Sequence, residues 1–185
     1  MPFLFEKQSI SDVILIKPKV FGDNRGFFLE MYKRSEFFNN GITVEFNQDN
    51  YSKSSGKVLR GLHYQAKPYQ QAKIVRCVKG KITDIAVDIR PESASYGRYV
   101  KAELSEDNKH MLYIPAGFAH GFVVLSEEAE IFYKASGEYA PQADRGIIWN
   151  DPSLNIDWGI DFEPILSKKD EKQPNFKEID KTELL

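Results

Sequence analysis

The stretch 58–73, VLRGLHYQAKPYQQAK, places side chains that can move protons or bind anions between two apolar runs. It holds Arg60, His63 and Lys73 together with three glutamines and two tyrosines. A polar segment between strand-like sequences at 58–59 and 74–75 is typical of one wall of a cavity. We therefore interpret the rest of the chain as a scaffold that positions this stretch.

Proton transfer next to a carbonyl group is the chemistry that these residue types favour. It needs a base with a pKa near 7, an electrophile for the enolate oxygen and an acid that returns the proton. His63 can be the base, Lys73 the electrophile and Tyr133 the acid. His120 also follows a glycine-containing turn, so a double-stranded β barrel could bring it beside His63. The base also needs a carboxylate on its second ring nitrogen, and sequence proximity does not identify one.

The pattern Pro-x-Gly-x-x-His that ends at His120 resembles the second metal-binding motif of the cupin superfamily. The first cupin motif would require His-x-His and then Glu-x6-Gly. Here Gln65 stands where the second histidine would stand, and Lys73 stands in the place of the glutamate, with six residues between it and Gly80. A metal site needs three or four donors, and an ammonium group would repel a divalent ion. We expect neither a metal nor another cofactor.

Composition limits the class of protein. The chain has 185 residues, which we interpret as one domain over 1–185. A net charge of −2 gives no electrostatic footprint for nucleic acid. No apolar run approaches the 18 residues of a membrane span. Cys77 is the only cysteine and lies in an apolar run, so we expect it to be buried in the core. A single cysteine that forms no disulfide also suits a protein of the reducing cytoplasm.

Short strand signals recur along the chain with turn residues between them, which predicts an all-β sandwich or barrel. Residues 10–21 predict a strand followed by a turn at Pro18. Further strands are predicted at 27–32, 43–50, 74–79, 81–89, 98–104, 111–114, 121–125 and 129–135. A short helix is predicted at 34–41, and a polar loop at 52–57. The charged segment 168–185 predicts one short helix followed by a loose tail.

Five ordered motifs carry a resemblance to one family. They are DNRGFFLE at 23–30, FNQDN at 46–50, VLRGLHYQ at 58–65, IPAGFAHGF at 114–122 and IWNDP at 148–152. Together they resemble the dTDP-4-dehydrorhamnose 3,5-epimerase family, and the match runs from about residue 10 to about residue 175. The resemblance implies a mainly β protein: a homodimer with a cupin-type double-stranded β-helix (jelly-roll) barrel, and short helices at its periphery and C-terminus.

The resemblance also implies a substrate and four catalytic residues. The substrate would be dTDP-4-dehydro-6-deoxy-D-glucose, whose C3 and C5 both flank the C4 ketone. His63 matches the catalytic base and Asp170 its paired carboxylate. Lys73 matches the group near the developing enolate, and Tyr133 matches the acid on the opposite face of the ring. Without the resemblance, Asp170 would be a solvated charge in the run KKDEK.

Further positions match the contacts that the family makes to its nucleotide sugar. They are Arg25, Glu30, Gln48, Asp49, Asn50, Arg60, Lys73, His120, Asp144 and Lys169. Guanidinium groups suit a diphosphate because they can donate two parallel hydrogen bonds. Asp144 stands where the family commonly has glutamate, so it keeps the charge with a shorter reach.

Alternatives remain open at this point. The chain could epimerise only C3 or only C5, or it could be a 3,4-ketoisomerase of the same fold. It could also be a binding module that takes up dTDP without turnover, or a metal-dependent cupin oxygenase. The segment 27–32 could be exchanged between the subunits of a dimer, in which case Arg25 and Glu30 would serve the partner's site.

Overall fold

The computed structural model describes residues 2–184; Met1 and Leu185 lie outside them. The described residues contain thirteen strands and one short α-helix, so the mainly β prediction is confirmed. The strands are β1 (Phe3–Lys7), β2 (Ile14–Pro18), β3 (Phe21–Asp23), β4 (Gly26–Phe28), β5 (Gln48–Ser55), β6 (Leu59–Gln65), β7 (Lys73–Lys79), β8 (Lys81–Asp88), β9 (Tyr99–Ser105), β10 (Met111–Ile114), β11 (Phe118–Val124), β12 (Glu128–Ala135) and β13 (Asp144–Gly146). The helix α1 (Arg34–Asn39) falls within the predicted helix at 34–41.

Two antiparallel sheets form the body of the protein. One has six strands in the order β1-β2-β10-β7-β12-β5, and the other has five in the order β13-β6-β11-β8-β9. Strands that are distant in sequence lie side by side in both sheets, which is the connectivity of a jelly roll. The strands β3 and β4 pair only with each other and form a separate hairpin.

The main core lies between the two sheets, because their strands alternate between inward and outward side chains. On β7, Val75 and Cys77 belong to this central cluster, so the prediction that Cys77 is buried is confirmed. Ile74, on the opposite face of the same strand, packs with Phe37 of α1 in an outer cluster. No helix of the described residues is long and apolar enough to span a membrane.

Several predicted boundaries are wrong, and the largest differences concern the strands predicted at 43–50 and 27–32. The strand predicted at 43–50 begins only at Gln48 and continues to Ser55, through most of the predicted loop 52–57. Its serines and lysine are tolerated because β5 is the edge strand of its sheet, where one side faces solvent. The strand predicted at 27–32 ends at Phe28, after which the chain turns towards α1.

The C-terminal segment is fastened to the body rather than loose. It forms three 3₁₀ turns, at Asp170–Lys172, Phe176–Glu178 and Lys181–Glu183, instead of the predicted short helix. Phe176 and Leu184 pack into the cluster on the outer face of the five-stranded sheet. This anchoring is not evident from the sequence, because the few apolar residues of the segment are separated by charged residues and form no periodic pattern.

Candidate active site

One cavity of about 160 Å³ brings together five of the residues that the sequence predicts for the site. They are His63, Lys73, Tyr133, Asp144 and Lys169. Five further side chains complete the lining: Tyr64, Gln65, Gln71, Phe118 and Tyr139. The lining is therefore rich in groups that donate or accept protons.

The two sheets contribute different functional groups to this cavity. His63 lies on β6 of the five-stranded sheet, directly opposite His120 of β11. Lys73 and Tyr133 lie on β7 and β12, which are neighbours in the six-stranded sheet. The imidazole therefore reaches the cavity from one sheet, while the ammonium and the phenol reach it from the other.

His63 is paired with the carboxylate that the resemblance implies. Its Nε2 lies 2.5 Å from Oδ1 of Asp170, which is almost fully buried. Ser167 donates its hydroxyl to Oδ2 of the same carboxylate at 2.9 Å. Burial alone would raise the pKa of Asp170, but the hydrogen bond and charge of His63, together with Ser167, lower it overall. An Nε2–H that donates to this carboxylate leaves Nδ1 of His63 with a free lone pair.

Lys73 is half-buried and makes no hydrogen bond or ion pair within residues 2–184. Desolvation lowers its pKa to about 8, although the charges of Asp84 and Asp144 act in the opposite direction. The ammonium donors are therefore free for a ligand in the cavity. The same environment makes the protonation of Lys73 sensitive to nearby charges.

His120 has a carboxylate partner of its own, behind the cavity. Its Nε2 lies 2.8 Å from Oδ1 of Asp84 on β8, and both residues are buried. Burial lowers the pKa of His120, and the nearby charges of Lys73 and His63 add to this effect, while Asp84 opposes it. The hydrogen bond with Asp84 holds the ring of His120, and the β6–β11 pairing places it opposite His63.

Tyr133 can act as an acid only where its proton is well held in the resting enzyme. Burial raises the pKa of its phenol, while the positive charge of Arg60 partly opposes that effect. The phenol is therefore neutral at physiological pH. It has a proton to give to a carbanion, whose protonation is strongly favourable.

Polar side chains at the mouth of the cavity are joined to one another. Asp144 accepts from Tyr139 at 2.9 Å and is in close ionic contact with Lys169. The backbone N–H of Tyr139 donates to Gln48 at 2.8 Å, and Gln48 donates to Asn50 at 2.8 Å. Four of the predicted substrate contacts thus form one connected rim.

The remaining predicted contacts lie outside this lining. Arg60 is exposed on β6 and donates to the hydroxyl of Ser54 at 3.0 Å. Asp49 is paired with Lys134 at 2.6 Å. Arg25 sits at the turn of the β3–β4 hairpin, where it binds Asp23. Glu30, also predicted as a contact, follows that hairpin and makes no ion pair within the described residues.

Sequence reasoning missed Asp84, Phe118 and Tyr139. Asp84 did carry a signal, because it is a carboxylate within the apolar strand KITDIAVDI. A charge in a buried strand needs a partner, and that alone marks the position. Phe118 and Tyr139 carried no comparable signal, because aromatic residues are usually part of the core.

The described residues contain no group of three His, Cys, Asp or Glu side chains that could hold a metal ion. The cavity instead combines a histidine–aspartate pair with a lysine and a tyrosine on the opposite sheet. A jelly-roll fold with this site defines an acid–base enzyme of the cupin type.

Comparisons with known proteins narrow this class to a family. The model of the dTDP-4-dehydrorhamnose 3,5-epimerase family matches residues 7–178, and the chain belongs to that family. The chain is 51% identical to a dTDP-4-dehydrorhamnose 3,5-epimerase of Shigella flexneri over 175 residues, which are 94% of this chain and 96% of that protein.

Solved structures agree with this assignment and with the predicted cupin-type fold. A dTDP-6-deoxy-D-glucose-3,5-epimerase of Legionella pneumophila, in complex with dTDP-4-keto-L-rhamnose, superimposes with a TM-score of 0.95 at 41% identity. The match covers 98% of this chain and 97% of that one. A 3'-monoepimerase of Streptomyces bikiniensis, in complex with dTDP-quinovose, superimposes with a TM-score of 0.86 at 31% identity. That match covers 92% of this chain and 86% of the monoepimerase chain.

Proposed function

We propose that the protein converts dTDP-4-dehydro-6-deoxy-D-glucose into dTDP-4-dehydro-L-rhamnose by epimerising C3 and C5, as a step in the synthesis of dTDP-L-rhamnose. Membership of the family supports this activity. The observation that carries it is the placement of His63 on one sheet and of Lys73 and Tyr133 on the other, around a single cavity. A sugar ring between the sheets would meet a base on one face and an acid on the other.

Proton abstraction is the first step of the mechanism. Nδ1 of His63 takes the proton from a carbon next to the ketone, and the electrons of the broken C–H bond form a C=C bond. The ketone oxygen receives the displaced pair and becomes an enolate oxygen. The ionised carboxylate of Asp170 stabilises the imidazolium that results.

Stabilisation of the enolate and return of a proton complete each epimerisation. The ammonium of Lys73, which burial partly desolvates, donates to the enolate oxygen. Tyr133 then gives its proton to the carbon from the opposite face, and the C=O bond re-forms. Before the second carbon reacts, the Tyr133 phenolate takes up a proton from solvent and the His63 imidazolium releases one to solvent.

Substrate binding would be shared between the cavity and its rim. Arg60 and Arg25 are assigned to the diphosphate because bidentate guanidinium groups suit phosphate oxygens. The other assigned contacts to the nucleotide sugar are Glu30, Gln48, Asp49, Asn50, His120, Asp144 and Lys169. Since Lys169 and Asp144 are paired across the rim, substrate would compete with that contact.

Exchange of substrate protons with deuterated solvent tests this proposal. His63→Ala is expected to slow exchange at both C3 and C5 by about 10²–10⁴-fold, because it removes the general base. His110→Ala is the matched control, since His110 lies in a half-exposed turn away from the cavity. Nuclear magnetic resonance of the substrate follows each carbon separately. Exchange at the wild-type rate in His63→Ala would overturn the assignment.

Epimerisation at a single carbon is the second candidate. It is favoured by the similarity to the 3'-monoepimerase of Streptomyces bikiniensis. Two protons must be handled in turn if both carbons react, so the outcome depends on where Tyr133 sits relative to each carbon. Counting the carbons that acquire deuterium in product formed by the wild-type protein separates the two candidates.

A homodimer is also part of the proposal, with each chain as a single domain over 1–185. Phe27 and Phe28 of the β3–β4 hairpin are 59% and 66% exposed, which is costly for an isolated chain. Arg76 is buried on the outer face of the six-stranded sheet and makes no hydrogen bond within the described residues. Both features would be satisfied by a second copy of the chain. In that dimer, Arg25 and Glu30 would reach the partner's site.

We also assign the enzyme to the cytoplasm. Cys77 is buried and reduced in the structure, as the sole cysteine of the chain. A chain that relies on its core rather than on disulfides suits a reducing compartment.

A further inference from the structure

Asp84 is a buried carboxylate whose hydrogen-bonding capacity is only half used. Its side chain is fully buried on β8, and Oδ1 lies 2.8 Å from Nε2 of His120. Its Oδ2 is buried and has no hydrogen-bond partner within the described residues. A buried carboxylate with an unused oxygen is costly and calls for an explanation.

Lys73 is the opposite case, a desolvated cation without an anionic partner in direct contact in the described part of the chain. Its ammonium makes no ion pair within residues 2–184, and desolvation opposes its charge. The titratable groups that share its cavity or act on its charge are His63, Tyr64, Asp84, His120, Tyr133, Tyr139, Asp144 and Lys169. Two of these are carboxylates, and a nearby negative charge favours the ammonium form.

Asp84 and Asp144 differ in the hydrogen-bond and ion-pair partners that they already have. Asp144 is held at the rim by Lys169 and Tyr139, so much of its charge is neutralised there. Asp84 faces no lysine or arginine in direct contact within the described residues, and its one partner is His120. Both carboxylates raise the pKa of Lys73, and Asp84 has the larger effect of the two.

We propose that Asp84 is a positioning residue that supplies the counter-charge of Lys73 through space, while its hydrogen bond holds the ring of His120. A direct salt bridge would occupy donors of the ammonium and draw it away from the substrate. A carboxylate set back behind His120 keeps Lys73 charged and leaves its donors for the enolate oxygen. The inference rests on the role of Lys73 in the proposed function.

The sign of the effect follows from the charges. Asp84 favours the protonated form of Lys73, so its removal lowers the pKa of Lys73 further below its ordinary value. That pKa is about 8 with the carboxylate in place. Without it, Lys73 loses its proton within the neutral range, and the enolate loses its electrophile.

The pH dependence of kcat in Asp84→Asn tests the proposal, because asparagine keeps the shape and removes the charge. The alkaline limb of the profile is expected to move down by about one to three pH units. At pH 7.5, kcat is expected to fall by about 3-fold for a shift of one unit and by about 200-fold for a shift of three units. KM is expected to change less than about threefold, because the groups assigned to the diphosphate are not affected. Lysine-selective nuclear magnetic resonance of both proteins reports the pKa of Lys73 directly.

Asp88→Asn is the matched control. Asp88 is equally buried on the same strand, and it is bound to Arg90 rather than to a residue of the cavity. This variant is expected to lose thermal stability and to keep the alkaline limb of the wild type. Asp84→Glu retains the negative charge, so its alkaline limb is expected at the wild-type pH. This variant also keeps the proposal testable if Asp84→Asn does not fold.

Three outcomes overturn the inference. They are an unmoved alkaline limb in Asp84→Asn, an equal movement in Asp88→Asn, and an equal movement in Asp84→Glu. A purely structural role for Asp84 would lower stability without moving the limb. Failure of the proposed function is a separate result, since the wild-type protein would then not epimerise the substrate at all.

Discussion

Two histidine–aspartate pairs lie side by side, and their different exposure gives them different uses. His63 keeps 33% of its side chain exposed towards the cavity, while His120 keeps 10%. The partner carboxylates Asp170 and Asp84 are both buried, so each orients its ring through Nε2. His63 has the more accessible of the two oriented rings, which suits it to be the base. His120 is suited to contact substrate without exchanging protons with solvent.

Asp170→Asn is expected to lower kcat by about 10²–10⁴-fold, because the amide no longer fixes the reactive tautomer of His63 or stabilises its cation. The substitution should also alter the response to acid. The fold lowers the pKa of Asp170, so its ionised form stabilises the protein above the ordinary pKa of about 4 and loses that effect as pH falls through the native value. Urea unfolding should therefore show a difference between variant and wild type that is largest at pH 7 and shrinks towards pH 3.

The exposed carboxylate of Asp161, nine residues before Asp170 in the chain, offers a control. Asp161→Asn is expected to keep both the activity and the acid response of the wild type. Wild-type turnover in Asp170→Asn would contradict a catalytic role for the His63–Asp170 pair, even if the expected difference in stability were observed.

Sequence reasoning reached these residues unequally. The types of His63, Lys73 and Tyr133 already suggested proton transfer, because each has a chemical role that can be stated without a structure. Asp170 became a candidate only through the family resemblance, since it lies 107 residues from His63 within a charged run. Asp84 was missed because a pairing across two strands cannot be read from one of them. Contacts between distant residues are set by the register of the sheets, which composition and motifs do not determine.

At the scale of elements, close contact between β6 and β11 sets the two histidines side by side. Gly61 and Gly121 face each other there, and a Cβ at Gly61 would lie 2.5 Å from the Cα of Gly121. Gly61 also has a φ of +128°, which side chains rarely adopt. The two glycines therefore let the strands approach more closely than larger residues would allow. That approach places His63 opposite His120.

Gly61→Ala is expected to destabilise the protein by about 2–4 kcal/mol, since a backbone clash adds to the strain of a positive φ. Activity per folded molecule should also fall, because the strands must separate beneath His63. Urea unfolding gives the stability change, and the exchange of substrate protons gives the activity. Gly41→Ala isolates the conformational term, since Gly41 has a φ of +89° and open space around its Cα. Its expected cost is about 1 kcal/mol, and equal costs for the two variants would contradict the close-approach argument.

The elements themselves were easier to predict than their ends. Alternating apolar residues identified β8, β9, β10 and β12 nearly at their observed positions, because their inward faces are continuous with the core. The edge strand β5 was misplaced, since its residues 51–55 are mostly polar and resemble a loop. The C-terminal segment was misjudged for a related reason: three buried apolar side chains hold it, too few to produce a periodic signal.

At the scale of the whole molecule, the isolated chain leaves two features unsatisfied. The β3–β4 hairpin exposes aromatic side chains and pairs with no other strand within the described residues. Arg76 is a cation that remains charged even when buried, and nothing in the described residues accepts its hydrogen bonds. The two features belong to the N-terminal hairpin and the outer sheet face, both away from the cavity. A dimer through these surfaces would satisfy them without blocking the active site.

Phe28→Ser is expected to weaken dimerisation about 100-fold or more, because a two-fold interface loses the buried ring twice. The free energy of unfolding of the monomer should change little, since the ring is 66% exposed in the single chain. Sedimentation equilibrium gives the dissociation constant, and activity measured against protein concentration shows whether Arg25 and Glu30 act across the interface. Leu125→Ser, at an exposed turn between β11 and β12, should leave association unchanged.

A monomeric wild-type protein, or a Phe28→Ser variant that associates as tightly as wild type, would contradict the proposed dimer. Loss of activity on dilution that is reversed at high concentration would place the hairpin residues at the partner's site.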